Sequence, residues 1–426
     1  MNFFNNLINS LFDKKNRMKN LGFLFDKKPQ KSLEAHIQNV YQAKGEISAL
    51  VHSEELFNFL ENSDNKVLIN FFVNLEKNYD LELGPLQKTI EKYKKNRDYN
   101  LYRDIKNTSE TKRSEIFRRL NSSQRGTIKL VKLREKLLKI IKKYPNFKKI
   151  DFDLSNLFKD WFNRGFLILK PIDWETPANI LEKIIQYEAV HQIKSWDDLR
   201  SRLEPDDRKC FAFFHPAMED EPLIFIEVAL TNKVPEKIDE IFNRNRLEIK
   251  GHEASVAVFY SISNCQKGLQ GISFGNFLIK QVAKDLEKSF NKLKTFITLS
   301  PVPGFMKWLE INEPKLYKKY NKKLNIQMLE KNKKLLMKNI LNYFFVSNRQ
   351  DSLPNDPVAR FHIGNGAILE NINFQADLSK KGFNQSLCFM VNYSYDLNEV
   401  EKNHEKYVVD KKINTSKKLL KEFQKL

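Results

Sequence analysis

Four consecutive stretches decide the fold: Val256-Ala-Val-Phe-Tyr-Ser-Ile-Ser263, the loop Gln270-Gly271-Ile272-Ser273-Phe274-Gly275-Asn276, the run Phe277 to Phe290, and Thr295-Phe-Ile-Thr-Leu299. The first and last are rich in β-branched and aromatic residues and bounded by polar or turn residues, which predicts strands. The run between them predicts a helix, so the order is strand, glycine loop, helix, strand. Glycines let backbone N–H groups approach an anion, and a helix N-terminus adds partial positive charge. The loop lacks the lysine of a nucleoside-triphosphate loop, and its glycine spacing is not the dinucleotide fingerprint. A glycine turn kept for close packing explains the same residues equally well, and both explanations stand at this level.

Working outward, Cys210 to Phe214, Leu223 to Leu230 and Leu387 to Tyr395 carry the same strand signature. Before Pro171 the pattern is helical. Leu33 to Leu50, Glu54 to Leu60 and the stripe Val67, Leu68, Phe71, Phe72, Leu75 have apolar residues at helical spacing. Thr127 to Tyr144 sets apolar residues between lysines at a period near 3.6, and Pro145 stops it. Lys315 to Lys338 and Val408 to Phe423 are further helical runs. The expected fold is an α-helical N-terminal bundle, residues 1–165, used for packing or oligomerisation, followed by an α/β catalytic domain, residues 166–426. The strand–loop–helix–strand unit resembles the pyrophosphate-binding turn of the acetyltransferase fold known as GNAT, so the second domain is expected to be GNAT-like.

At 426 residues, two domains are the natural division. No run approaches the ~20 apolar residues of a membrane-spanning helix. Asn2, Asn5, Asn6 and Asn9 interrupt the mildly apolar Met1 to Phe12, and no small-residue cleavage pattern follows, so no secretory signal is expected. Cys210, Cys265 and Cys388 form no CxxC pair, which suggests neither a zinc site nor a disulfide framework, and a reducing cytoplasm is the default. The net charge of +20 invites a nucleic-acid partner, but the lysines are spread along the chain without interleaved aromatics. A basic surface equally suits a polyanionic small molecule.

Two further stretches hold candidate chemistry. In Leu299-Ser300-Pro301-Val302-Pro303-Gly304-Phe305, Ser300 sits where a strand ends, on a turn stiffened by two prolines that cannot continue a ladder. In Asp356-Pro357-Val358-Ala359-Arg360-Phe361-His362, followed by Gly364-Asn365-Gly366-Ala367, a histidine beside a glycine turn offers an acid or base near neutral pH. Taken alone, a serine opening a proline turn and a structural histidine account for both. His36 and His52, in the helical part, read as surface or packed histidines.

The stretches gain meaning together. His215-Pro216-Ala217-Met218 with Glu221-Pro222-Leu223, Phe259-Tyr260-Ser261-Ile262-Ser263, Gly268-Leu269-Gln270-Gly271, Ser300-Pro301-x-Pro303-Gly304-Phe305 with Lys307-Trp308-Leu309, Phe361-His362, Asn365-Gly366-Ala367, Ala376-Asp377 and Asn392-Tyr393-x-Tyr395 resemble the malonyl-CoA decarboxylase family in order and spacing. The resemblance covers roughly Pro205 to Tyr407. It implies Ser300 and His362 as the catalytic pair, Gln270 to Asn276 as the coenzyme A loop, and Tyr395 near the active site. It also implies malonyl-CoA as substrate, no cofactor beyond the coenzyme A of the substrate, and a homo-oligomer, a tetramer in the family. Ser273 and Phe274 depart from the acidic and aliphatic residues associated with animal members, which leaves the loop's backbone role and removes a side-chain one. The chain ends Gln424-Lys425-Leu426 in place of Ser-Lys-Leu, so no peroxisomal address is expected. An acyl-CoA-dependent acyltransferase on the same fold, and a basic nucleic-acid-binding protein, are the alternatives.

Overall fold

The structure is a computed structural model that describes residues 32–272, 274, 278–321, 324–346 and 353–424. Met1 to Phe12, the last two residues, and Ser273, Gly275 and Asn276 of the glycine loop lie outside the described residues. The chain forms two compact units: residues through Leu130 with Lys139–Leu154, and Val131–Leu138 with Ser155–Leu426.

The first unit is helical, as its periodicity predicts. The expected helix Leu33 to Leu50 is two helices, Leu33–Gln42 and Glu46–Glu61, because Gly45 is extended and caps the second. Asp64 opens the helix Asn65–Asn78 by accepting the Val67 N–H at 2.9 Å, which satisfies an otherwise orphan donor of the first turn. Ile37, Val40, Leu56, Phe71, Phe72, Leu75 and Phe117 are buried. Arg119 donates to the carbonyls of Val40, Tyr41 and Ala43 at 2.7–2.9 Å, closing the end of the first helix. His36 lies against the Phe59 ring and His52 bonds Glu55, so both serve packing and local structure.

The second unit is built on one mixed, eight-stranded sheet. Its strands are β1 (Ile168–Ile172), β2 (Arg208–Phe214), β3 (Ile224–Thr231), β4 (Val256–Asn264), β5 (Thr295–Thr298), β6 (Ser300–Pro301), β7 (Ile368–Asn373) and β8 (Met390–Ser394). The order is β1-β2-β3-β4-β5-β8-β6, with β7 also on β8. β1 to β4 are antiparallel, β4 and β5 run parallel, and β8 returns antiparallel. Parallel neighbours need a crossover. It is supplied by the glycine loop and the helix Leu278–Ser289, whose Leu278, Ile279, Val282, Ala283 and Leu286 bury one face. Full burial of a leucine, isoleucine or valine side chain among these stabilises by about 1.5–3 kcal/mol. This is the helical region followed by a mixed α/β sheet domain that the sequence leads one to expect.

Three local expectations change. The run Lys315 to Lys338 is three helices, Pro314–Tyr320, Ile326–Lys331 and Lys333–Phe345. Val408 to Phe423 is not one helix: Val400–Asp410 ends at Lys411 in the left-handed region (φ 55°), and Lys417–Gln424 follows. The run Thr127 to Tyr144 is the helix Gly126–Ile140, which ends five residues before Pro145; Pro145 instead opens one turn of 3-10 helix, after which the chain resumes as Lys148–Trp161.

Candidate active site

β4 and β5 are in parallel register from Val256↔Thr295 to Phe259↔Thr298, and the Leu299 N–H to Phe259 carbonyl bond at 3.0 Å is the next tie. Beyond it the strands part. β4 continues to Asn264 along β3, while Ser300 and Pro301 pair with Val391 and Met390 of β8. Where β4 passes Glu227 and Val228 of β3 the register shifts by one residue, leaving Tyr260 of β4 as a bulge with no partner on β3. The divergence opens a cavity of about 210 Å³. Phe259, Ile262, Val358 and Phe361 give it an apolar lining, and Ser300 and His362 bring polar atoms to it.

His362 rides on the helix Pro357–Gly364, which starts there because Pro357 suits a first helical position and Asp356 caps it. The ring is buried and stacks on Tyr393, with centroids 4.6 Å apart and planes at 24°. Its Nε2 lies 3.1 Å from Ser300 Oγ and its Nδ1 lies 2.8 Å from the Tyr395 hydroxyl. Ser300 Oγ donates to Thr298 Oγ1 at 2.9 Å, and Thr298 Oγ1 also accepts the Tyr393 N–H at 3.0 Å.

These contacts fix the direction of the hydrogen-bond chain. Ser300 has one proton and directs it to Thr298, so its Oγ accepts from His362, and Nε2 carries the ring proton. Nδ1 is then the acceptor. Burial pushes the Tyr395 phenol well above its ordinary value, so it keeps its proton and donates to Nδ1. Donation therefore runs Tyr395, His362, Ser300, Thr298. Burial also lowers the His362 pKa to about 3, so the ring is neutral at pH 7. The expectation that this histidine titrates near its unperturbed value does not hold, because burial disfavours the charged imidazolium.

The glycine loop continues from the end of β4. Arg134, buried on the Val131–Leu138 stretch, donates to the Gly268 and Gln270 carbonyls at 2.7 and 3.0 Å. In a trans peptide the C=O and the following N–H point in opposite directions. Turning the Gln270 carbonyl onto Arg134 therefore turns the Gly271 N–H away from it. Gly271 has φ +79° and open space where a Cβ would stand. Gly268 is a close-packing glycine, since a Cβ there would lie 1.9 Å from the Val131 carbonyl oxygen. Close packing thus accounts for Gly268, just before the loop, while the positive φ and open space at Gly271 keep its main chain uncrowded. Ile272 and Phe274 bury their side chains, Phe274 edge-on to Phe162, and offer a ligand only main chain.

The structure thus brings together Ser300, His362 and Tyr395, separated by 62 and 33 residues in sequence. His215, in contrast, accepts the Ala217 N–H and packs against Phe162. Sequence reasoning missed Thr298, the stacking role of Tyr393, and Arg134. Thr298 and Tyr393 lie inside β-rich runs where alternation explains them without chemistry, and Arg134 is one basic residue in a lysine-rich helix. Among the described residues no group of three His, Cys, Asp or Glu side chains is placed to hold a metal ion.

Residues 165–426 match the family described as malonyl-CoA decarboxylase C-terminal domain, and residues 79–162 match malonyl-CoA decarboxylase N-terminal domain. The chain belongs to the malonyl-CoA decarboxylase family. The crystal structure of malonyl-CoA decarboxylase from Rhodopseudomonas palustris is 40% identical in sequence, with a TM-score of 0.87 over 91% of this chain and 98% of that one. The enzyme from Agrobacterium vitis is similar at 41% identity and a TM-score of 0.84, with the same coverage of both chains. Among curated relatives, the mitochondrial malonyl-CoA decarboxylase of Anser anser anser is 34% identical over 343 residues, 72% of this chain and 68% of that protein. The name of that curated relative places it in mitochondria. For this chain, no described helix is long and apolar enough to cross a membrane.

Proposed function

We propose that this chain converts malonyl-CoA to acetyl-CoA and CO2, with Ser300 binding the malonyl carboxylate and His362 protonating the enolate. The observation that carries the proposal is the donor chain from Tyr395 through His362 to Ser300, ending at an apolar cavity where the parallel strands part. The malonyl group enters this cavity and the Ser300 hydroxyl turns from Thr298 to its carboxylate. The apolar lining favours neutral CO2 over the ionic carboxylate. The bond from carboxylate to Cα breaks, and its electron pair passes into the thioester carbonyl, giving the enolate. That carbonyl is the electron sink, so the chemistry asks for no further cofactor. The Nε2 proton goes to Cα while the Tyr395 proton moves to Nδ1; after the product leaves, a solvent proton reaches Nε2 through the cavity and Nδ1 returns its proton to Tyr395, which restores the starting tautomer.

Coenzyme A lies with its phosphates on the main chain of Gln270 to Asn276. Support comes from the outward Gly271 N–H and the guanidinium of Arg134 beneath the loop. The helical part, residues 1–165, is proposed to serve association into a homo-oligomer, a tetramer as the family resemblance implies. A reducing cytoplasm is the proposed compartment, and three buried free cysteines fit it. No nucleic acid and no stable membrane insertion enter the proposal.

The test is malonyl-CoA with purified protein and no acyl acceptor. One acetyl-CoA and one CO2 per malonyl-CoA consumed is the expected outcome. Turnover only on adding an amine acceptor would replace the decarboxylase with an acyltransferase.

A further inference from the structure

Asp356 opens the helix that carries His362, and its carboxylate does more than cap it. Oδ1 accepts the N–H groups of Val358 and Ala359, each at 2.9 Å. Oδ2 accepts the Tyr343 hydroxyl at 3.1 Å. The carboxylate also accepts the backbone N–H of Gly304. Gly304 ends the turn that begins at Ser300, and it caps the helix Phe305–Asn312. One carboxylate, 1% exposed, therefore sits at the N-termini of two helices and ties the serine turn to the histidine helix. Both macrodipoles favour a negative charge at this point.

The surrounding packing leaves this joint little slack. A Cβ at Gly304 would lie 2.3 Å from the Tyr343 hydroxyl, which is the rigid end of a buried ring held by Asp356. Phe305 and Trp308, on the helix that Gly304 caps, pack on the Tyr343 ring at 5.7 and 5.8 Å. Nothing else in the proposed chemistry uses Asp356, Gly304 or Tyr343, although the first two belong to the two motifs that supply His362 and Ser300.

We propose that Asp356 is a positioning residue: through Gly304 on one side and the histidine helix on the other, it sets the Ser300–His362 hydrogen bond. This rests on the proposed roles of Ser300 and His362. Misplacing reacting groups by about 1 Å costs on the order of 10²-fold in rate. Asp356→Asn keeps one oxygen for the Val358 and Ala359 N–H groups but removes the negative charge and puts an NH2 where Tyr343 now donates, so it weakens the tie and spares the cap.

The experiment measures kcat, KM for malonyl-CoA and melting temperature on the full chain for Asp356→Asn, His362→Asn, Ser300→Ala and the Asp356→Asn/His362→Asn double variant. Expected are a roughly 10- to 100-fold fall in kcat with KM within about threefold, and no further loss of kcat when Asp356→Asn is added to His362→Asn. A purely structural Asp356 would lower the melting temperature while leaving kcat per folded molecule unchanged, and that result overturns the proposal. An additive loss in the double variant overturns it too. Full turnover in both Ser300→Ala and His362→Asn would instead sink the proposed site itself, whatever Asp356 does. Should Asp356→Asn not fold, Tyr343→Phe carries the test by removing one donor from the same carboxylate. A severalfold lower kcat at unchanged KM is then expected, and an unchanged kcat overturns the proposal.

Discussion

Replacing Tyr395 with phenylalanine removes one oxygen from a buried site and nothing else. The phenol donates to His362 Nδ1 at 2.8 Å, and Tyr395 is 3% exposed, so no solvent is at hand to take its place. A buried acceptor left without a partner costs about 1–3 kcal/mol. Moving the ring proton to Nδ1 does not relieve that cost, because a buried N–H then lacks an acceptor and Nε2 has no proton for the enolate. What is lost is the donation that holds the proton on Nε2 and follows it as it leaves for Cα, worth the same ~1–3 kcal/mol. At 1.36 kcal/mol per decade this lowers kcat by roughly 5- to 150-fold. KM for malonyl-CoA should hold within about twofold, since the cavity is lined by Ser300 and His362 and not by Tyr395. Steady-state kinetics and a melting curve on one preparation decide the matter. A kcat within twofold of wild type would refute the donor chain. A fall in melting temperature with kcat retained would make Tyr395 a packing residue.

Ring NMR should show His362 neutral from pH 8 down to about 4.5 in the ligand-free protein, because burial holds its pKa near 3; a midpoint near 6.5 would contradict this. The sign for stability follows. The unfolded ring takes up a proton below pH 6.5 while the folded one does not, so whatever His362 contributes is intact above 6.5 and lost as pH falls toward 3. The stability difference between wild type and His362→Asn should therefore shrink by up to about 1.4 kcal/mol per pH unit in that window. Urea melts of the pair at pH 7 and 5 measure it, and taking the difference cancels Glu227, which burial raises to about 8 and which acts in the opposite sense. Gly271→Val and Arg134→Ala both disturb the outward N–H of the loop, the first by straining φ +79° and the second by releasing the Gln270 carbonyl. Each should raise KM by roughly tenfold with kcat nearly kept, and normal malonyl-CoA binding in both would move coenzyme A off this loop.

How far the sequence carries differs between fold and site. β2, β3, β4 and β5 lie close to the predicted runs because β-branched and aromatic residues dominate them. β1 escaped notice since Lys170 and Pro171 break its pattern, and proline is tolerated there only because β1 is an edge strand. β7 escaped because Glu370, Asn371 and Asn373 dilute its apolar residues. At the site, Ser300, His362 and Tyr395 were visible as motif residues. What was invisible was the order of donation, which depends on Thr298 accepting from Ser300. Nor does composition announce a burial deep enough to hold a histidine neutral. The Arg134 contact joins residues 134 and 136 positions apart, a separation at which spacing rules say nothing.

The most direct measurement is kcat of His362→Asn, taken with coenzyme A affinity and melting temperature on the same protein. A neutral imidazole that delivers the proton to the enolate carbon predicts a fall in kcat of roughly 10²–10⁴-fold, with affinity nearly unchanged and the fold retained. A destabilised variant with wild-type kcat in its folded fraction would contradict that, and would place the proton donor elsewhere.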